Sequence, residues 1–294
     1  MALGRPSKKK KKKQCGRGRR GISGAVQSKD PVIRVLGIGM STNDAEKTAR
    51  VWRPVEVLTY LGAPGGAEYA CLLLNRPVDG REVEVSRVWN RASLRLSVDG
   101  GTNVLRKLIE DRDKLALEAA KLPDFITGDF DSITDETRAF FSGCRFIATP
   151  DQDETDFTKA LRVAAERGPA HLAWVTVVAE NTGRIDQVLA NINTLFTART
   201  LLAAPVYLLA AESLSFLLPP GRHEIHLPPE LRSDWCSLVP VGAPAAAVTT
   251  SGLQWDLAGQ PMAFGQLIST SNRPVSELVT VDTSEPLLFS VALP

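Results

Sequence analysis

Three short segments of the chain are rich in acidic residues, and each follows an apolar run that predicts a β-strand. Their acidic residues are Asp99, then Asp129 and Asp131, and then Asp151, Asp153, Glu154 and Asp156. Crowded carboxylates repel one another unless a cation neutralises them, and Mg²⁺ commonly bridges carboxylates to the phosphates of a substrate. A single Asp-x-Asp pair is more often a solvated loop, but three such groups at strand ends favour a metal site.

Asp129 and Asp131 lie two residues apart, so in an extended chain their side chains would point the same way and could hold one ion. Lys159 follows Asp156 by three residues, which places the two on one face of a predicted helix. Lys159 could therefore neutralise a phosphate or simply pair with Asp156. Arg184 stands where another helix begins, and the free amides there could hold an anion.

Histidine contributes little to this chemistry. His223 and His226 are three apart on a predicted strand and point to opposite faces, while His171 stands alone. Trp255 could bind a flat or cationic ring, although a single tryptophan in a β-domain is more often part of the core. We therefore expect carboxylate and metal chemistry.

The elements that would position these residues change character along the chain. Strands at 71–74, 94–98, 125–127, 146–148 and 174–178 alternate with helices at 85–92, 103–111, 134–142, 155–167 and 185–198. This alternation predicts a parallel sheet that binds ligands at the carboxyl ends of its strands. Short strand-like runs then follow at 206–209, 213–218, 223–227, 236–240, 247–250, 262–268, 278–281 and 287–293. We predict an α/β domain with a parallel sheet at 67–203, followed by an antiparallel β-sandwich domain at 204–294.

Residues 1–66 are predicted to be a basic, disordered extension. The first 20 residues hold ten of the 35 Lys and Arg residues and no acid, which leaves an excess of acid in the rest of the chain. Nucleic-acid binding by the body is therefore disfavoured, whereas the tail either contacts nucleic acid or is merely solvated. Four scattered cysteines favour a reducing compartment. Without an apolar run long enough to span a membrane or a secretory signal, we expect a cytoplasmic protein.

Seven segments, in order, resemble the thiamine pyrophosphokinase family, and its animal form most. In the first half they read SVDGGTN at 97–103, TGDFDS at 127–132, TPDQDETDFTK at 149–159 and GRIDQ at 183–187. In the second half they read DWC at 234–236, TTSGLQW at 249–255 and LISTSN at 267–272. The resemblance implies a homodimer with its active site at the subunit interface. The implied reaction transfers the pyrophosphoryl group of ATP to the hydroxyl of thiamine, with Mg²⁺, and gives thiamine diphosphate and AMP.

The resemblance also implies roles for individual residues. The catalytic carboxylates would be Asp99, Asp129, Asp131 and Asp156, of which Asp129, Asp131 and Asp156 would bind the metal. ATP would contact Asn103, Asp153, Thr155, Lys159, Arg184, Asp186 and Gln187. Thiamine would contact Gln152, Trp255, Ser269, Thr270, Ser271 and Asn272.

One segment departs from the family pattern. The family usually has Gly-Gly-x-x-Gly-Arg before the last helix of the first half, whereas residues 178–184 read VAENTGR, one residue longer and without the glycine pair. Glycines let backbone approach a phosphate closely, and Glu180 adds a negative charge near the expected triphosphate. The alternative is a catalytically impaired thiamine- or nucleotide-binding protein of the same fold.

Overall fold

The computed structural model describes residues 48–58, 67–114, 118–232 and 234–294. Most of the predicted extension at 1–66 lies outside these residues, but its last part does not. Arg50–Trp52 forms strand β1 and Pro54–Leu58 forms helix α1. The prediction that the chain is unstructured up to residue 66 is therefore wrong for 50–58.

The first half forms six parallel strands with helices between them. The strands are β2 (Tyr69–Leu73), β3 (Leu94–Val98), β4 (Phe125–Gly128), β5 (Phe146–Ala148), β6 (Trp174–Val178) and β7 (Val206–Leu209). The helices are α2 (Glu82–Arg91), α3 (Gly101–Glu110), α4 (Asp135–Phe140), α5 (Asp156–Arg167) and α6 (Ile185–Leu201). The strands pair in the order β7-β6-β2-β3-β4-β5, so the predicted parallel sheet is confirmed.

Alternate residues of the central strand β2 face opposite layers, because successive side chains of a strand point to opposite faces. Ala70 and Leu72 are buried in one core with residues of α5 and α6, whereas Cys71 and Leu73 are buried in another with residues of α2 and α3. Both faces of the parallel sheet are thus covered, and the carboxyl ends of its strands meet at one edge.

The second half adds strands to this sheet and builds a second one. The strands are β8 (Ser213–Leu218), β9 (Gly221–His226), β10 (Cys236–Val239), β11 (Ala245–Ser251), β12 (Ala258–Met262), β13 (Ser269–Asn272), β14 (Leu278–Thr283) and β15 (Leu287–Ala292). The first sheet grows to ten strands in the order β13-β10-β15-β8-β7-β6-β2-β3-β4-β5. The second has five strands in the order β1-β9-β14-β11-β12, and β1 joins it parallel to β9.

The two sheets pack face to face as a β-sandwich. Phe216 and Phe289 of the first sheet share a buried core with Ile225 and Val279 of the second. Trp52 of β1 stacks on Phe216 with ring centroids 4.8 Å apart, so β1 contributes a buried side chain to the core of the sandwich. The predicted order of an α/β part and a β-sandwich part is confirmed, but the ten-stranded sheet runs without a break across the predicted boundary at 203/204.

A strand predicted at 262–268 is wrong. The chain instead turns between β12 and β13, where Gly265 has φ +79 and the amide of Ala263 donates to Leu267 O at 3.1 Å. A positive φ suits glycine and ends an extended run. Among the described residues, no helix combines the length and apolar character needed to cross a membrane.

Candidate active site

Three carboxylates meet at the carboxyl edge of the parallel strands. Asp99 follows β3, Asp129 follows β4, and Asp156 is the first residue of α5. One oxygen from each lies within 4.8 Å of the others. They share a cavity of about 310 Å³, which we call the acidic cavity. This cluster (the acidic triad) is the arrangement of oxygen ligands that a hard divalent cation takes in proteins.

Asp99 is fixed by the backbone around it. It has φ +44, it is only 6% exposed, and its amide donates to Thr127 O at 2.7 Å. The amide of Ser132 reaches its Oδ1 at 3.4 Å. Gly128 has φ +142, and a Cβ added there would lie 2.8 Å from the Cβ of Asp99. The neighbouring strand end therefore needs glycine so that Asp99 can occupy its place.

Asp131 does not join the acidic triad, contrary to the expectation from an extended chain. Phe130 between the two aspartates has φ +69, so the chain turns at that point. The Asp131 carboxylate accepts a hydrogen bond from Ser132 Oγ at 2.8 Å, and its amide donates to Asp129 Oδ1 at 3.3 Å. Asp131 lines the acidic cavity but does not belong to the triad. Asp99 lies with Asp129 and Asp156 instead, where the spacing of Asp129 and Asp131 had predicted Asp131.

Asp129 is held in its charged form. The hydrogen bond from the Asp131 amide lowers the pKa of the Asp129 carboxyl below its usual range, helped by Gln152 and the charge of Lys159. Gln152 Nε2 lies 3.3 Å from Asp129 Oδ2. Gln152, which the resemblance assigns to thiamine, is thus placed beside the acidic triad.

Lys159 is buried and fully engaged. It is 5% exposed, and its Nζ lies 2.7 Å from Asp156 Oδ1, 2.8 Å from Thr149 O and 3.0 Å from Asp151 O. An ammonium group has three donors, so none remains for a phosphate in this arrangement. Burial raises the pKa of the Asp156 carboxyl even though Lys159 opposes it. The geometry favours pairing with Asp156 over phosphate binding, the two alternatives that the spacing left open.

Three other residues assigned to ATP have structural partners. Asn103 Nδ2 donates to Ser132 O at 2.7 Å, and its Oδ1 accepts from the Thr134 amide at 3.2 Å, which anchors the loop after β4. Thr155 caps α5 by accepting from the Thr158 amide at 3.1 Å. Asp153 is exposed, and its amide donates to Asp151 Oδ1 at 2.8 Å.

The start of α6 lies on the far wall of the acidic cavity. Arg184 and Gln187 line it, and Arg184 Nε donates to Asp186 Oδ1 at 3.1 Å in an exposed ion pair. Glu180, in the segment that departs from the family pattern, accepts from the Asn181 amide at 2.9 Å and lines a neighbouring cavity. Glu180 does not line the acidic cavity itself, and its nearness to the triphosphate stays a prediction.

The sequence reasoning missed several residues of the acidic cavity, among them two that follow β2. Asn75 and Arg76 follow β2 and line the cavity. A Cβ added at Gly100 would lie 2.2 Å from Asn75 Nδ2, so that glycine makes room for the asparagine. Their position in the sequence could have identified them as site residues, because the loop after β2 lies at the same sheet edge as the loops after β3 and β4.

Trp255 is exposed, so the alternative that it belongs to the core is wrong. Trp255 is 59% exposed, and its backbone is clamped by Asn272, whose Oδ1 accepts from the Trp255 amide at 3.2 Å and whose Nδ2 donates to the Trp255 carbonyl at 2.9 Å. Asn272 Nδ2 also donates to Ser269 Oγ at 3.1 Å. Thr270 and Ser271 are exposed beside them. The predicted thiamine residues of this half therefore form one cluster, the Trp255 cluster.

The Trp255 cluster is far from the acidic triad within one chain. Its strand β13 stands at one end of the ten-stranded sheet, and β3, which carries Asp99, is seven strand positions away. At about 4.8 Å for each position the separation is roughly 34 Å along the sheet. One chain does not bring the two predicted groups together.

Comparison with known proteins gives a consistent result. The family model described as "Thiamin pyrophosphokinase, catalytic domain" matches residues 85–206, and the model described as "Thiamin pyrophosphokinase, vitamin B1 binding domain" matches residues 222–288. Thiamine pyrophosphokinase 1 of Arabidopsis thaliana is 35% identical over 239 residues, which cover 78% of this chain and 87% of that protein.

Two further comparisons bear on the animal-type resemblance and on the fold. Thiamin pyrophosphokinase 1 of Caenorhabditis elegans is 26% identical over 76% of this chain and 88% of its own length, so these relatives do not support a preference for the animal form. The crystal structure of yeast thiamin pyrophosphokinase superposes with a TM-score of 0.71 and 21% identity, over 87% of this chain and 95% of that chain.

Proposed function

This chain belongs to the thiamine pyrophosphokinase family, and we propose that its active site is built from two copies of the chain. The activity is that of the family, an ATP-dependent transfer of a pyrophosphoryl group to thiamine. The hydroxyl of thiamine attacks the β-phosphorus of ATP, AMP leaves, and thiamine diphosphate is formed. The main observation that supports placing the reaction at the carboxyl edge of the parallel strands is the acidic triad.

The residues of the acidic triad fit Mg²⁺. Three carboxylate oxygens within 4.8 Å of one another repel, and Asp99 is buried, so the cluster favours a cation. Mg²⁺ bound there would neutralise phosphate oxygens and the charge that develops on the leaving AMP. The contacts of Gln152 and Lys159 hold Asp129 and Asp156 in place before any ligand arrives.

The phosphates of ATP are proposed to lie in the acidic cavity between the triad and two arginines. Arg76 comes from the loop after β2 and Arg184 from the start of α6, so the two cations approach the cavity from different elements. Guanidinium groups bind phosphates in a fixed geometry, which would position the β-phosphorus for in-line attack. Contacts of ATP with Asn103, Asp153, Thr155, Lys159 and Asp186 remain predictions.

The thiamine rings are proposed to lie against the Trp255 cluster of a second copy. An exposed indole can stack on a cationic ring, and the hydroxyls of Ser269 to Ser271 offer hydrogen bonds beside it. The separation of roughly 34 Å along the sheet means that one chain cannot present both its acidic triad and its own Trp255 to one thiamine molecule. A second copy removes this difficulty.

Exposed apolar side chains near both groups support such a contact. Ile185 and Leu189, next to the acidic cavity on α6, are 68% and 54% exposed. Phe264, near the Trp255 cluster in sequence, is 65% exposed, and Leu267 is 42% exposed. Large apolar side chains concentrated beside functional groups mark surfaces that other molecules cover.

Mixing two inactive variants tests the proposal. Asp129→Ala removes one member of the triad, and Trp255→Ala removes the thiamine contact. If the site is shared, a mixed dimer of the two variants has one site with neither substitution. Random reassortment should then restore about a quarter of wild-type AMP formation, because half of the dimers are mixed and each has one intact site. If each chain holds a complete site, mixing will restore nothing.

AMP release that depends on thiamine, measured on the whole chain with ATP and Mg²⁺, tests the activity itself. Thermal stabilisation by thiamine without AMP release would favour the alternative of an impaired binding protein. The cytoplasm remains the proposed compartment, because Cys71, Cys144 and Cys236 are free thiols that fit a reducing environment.

A further inference from the structure

Asn191 is a buried amide that the activity described so far does not use. It lies in the middle of α6 and is 8% exposed. Among the described residues, its side chain makes no hydrogen bond. Thr194, one turn further along, shows the usual behaviour, since its hydroxyl donates to Ala190 O at 3.0 Å and bonds to Thr158 Oγ1 at 2.9 Å. Neither of its amide atoms is among the described side-chain atoms that are both cut off from solvent and unpartnered, so the unpaired amide opens into a cavity.

The surroundings of Asn191 show which cavity this is. Its side chain lines the acidic cavity together with Arg184 and Gln187. These three residues are spaced three and four apart, which places them on one face of α6. Asn191 is the deepest of them in the helix, and it also borders the adjoining cavity of about 160 Å³ that Glu180 lines. The amide therefore stands in the wall that faces the acidic triad.

We propose that Asn191 is a further substrate-contacting residue, whose side-chain N–H donates to a non-bridging oxygen of the ATP phosphate chain. The inference rests on the proposed placement of those phosphates in the acidic cavity. An amide is a neutral donor, so it can contact a phosphate without pairing with the carboxylates that surround it. Without nucleotide the same donor makes no hydrogen bond to the described residues, so it stays available to a phosphate oxygen.

Substitutions at Asn191 separate this role from a structural one. Asn191→Ala removes the donor but no hydrogen bond within the protein, so the melting temperature without ligand should stay the same or rise. The value of kcat/KM for ATP should fall by about 10- to 100-fold, as expected when a hydrogen bond to a charged group is lost. Asn191→Asp has nearly the same shape but places a carboxylate beside phosphate, so its loss should be larger.

The experiment uses the full chain and a matched control. Asn193→Ala changes the same residue type on the same helix, but at an exposed position outside the acidic cavity. We would measure AMP formation over ranges of ATP and of thiamine, and the melting temperature with and without ATP. The expected result is a loss of kcat/KM for ATP and of stabilisation by ATP in both Asn191 variants, with the KM for thiamine and the control unchanged.

Three outcomes would overturn the inference. The first is a value of kcat/KM for ATP in Asn191→Ala that equals that of the control. The second is a loss confined to the KM for thiamine, and the third is a ligand-free melting temperature that falls by several degrees along with the activity. Wild-type chain that releases no AMP would instead refute the proposed function, so the two failures are distinguishable.

Discussion

Replacing Lys159 with Met should destabilise the fold more than the loss of an ordinary surface ion pair would. Methionine keeps most of the length of the side chain and removes the ammonium group. Lys159 Nζ donates to Thr149 O at 2.8 Å and to Asp151 O at 3.0 Å, while it pairs with Asp156 Oδ1 at 2.7 Å. The substitution therefore frees the loop before α5 and the first residue of that helix at the same time.

The magnitude follows from the three contacts. A hydrogen bond that involves a charged group contributes about 1.5–3 kcal/mol, so the low end for the two carbonyl contacts is about 3 kcal/mol. The contact with Asp156 Oδ1, an atom that is itself buried, is left out of this figure, so about 3 kcal/mol is a lower estimate. For a chain of this size, about 3 kcal/mol corresponds to a fall in melting temperature of about 6–12 °C.

Lys114 offers a matched control. It also pairs with an aspartate three residues earlier, Asp111, at 2.6 Å, but its side chain is 80% exposed. An ion pair this exposed contributes little to stability, because water competes for both charges, so Lys114→Met should barely move the melting temperature. Thermal unfolding followed by circular dichroism at pH 7, without ligands, compares the two variants. Equal shifts in Lys159→Met and Lys114→Met would refute the reasoning that the buried ammonium group holds this part of the site together.

Two further predictions concern positions outside that contact. Gly128→Ala should lower the free energy of unfolding by about 1–3 kcal/mol and reduce AMP formation, because the new Cβ would lie 2.8 Å from the Cβ of Asp99 at a residue with φ +142. Urea unfolding measures the first effect and turnover the second. Equal results for Gly143→Ala, where an added Cβ meets nothing, would contradict the prediction. Burial lowers the pKa of His223, whose Nδ1 accepts from Trp52 Nε1 at 3.0 Å, so stability should be complete above about pH 6.5 and decline as the pH falls below it. Urea midpoints between about pH 5 and 8 should show a shallower decline in His223→Gln, and parallel curves would exclude His223 as the titrating group.

The sequence predicts those parts of the fold in which the pattern of apolar residues along a segment matches the burial of that segment in the structure. Strands β3, β5 and β6 have the predicted bounds, because short apolar runs between turns become buried strands of a parallel sheet. The acidic residues were expected at the ends of parallel strands, and the acidic triad does lie at the carboxyl edge of the parallel sheet.

The parts that could not be predicted depend on long-range pairing or on a single torsion angle. Strand β1 pairs with β9, about 170 residues later, and its own sequence is too short to show a pattern. Strands β12 and β13 are mostly exposed, and their sequences AGQPM and STSN show no apolar alternation. The choice of Asp99 over Asp131 for the acidic triad depends on the positive φ of Phe130, which spacing does not show.

The ten-stranded sheet has a consequence for movement during turnover. Many enzymes of two parts close over their substrates by bending at a hinge between those parts. Here β6 and β7, which lie on either side of the predicted boundary at 203/204, are hydrogen-bonded neighbours in one continuous sheet, so a hinge between the halves would have to break a run of backbone hydrogen bonds. Admission of substrates and release of products would then depend on the loops at the sheet edge, or on sliding of one copy against the other in the proposed dimer.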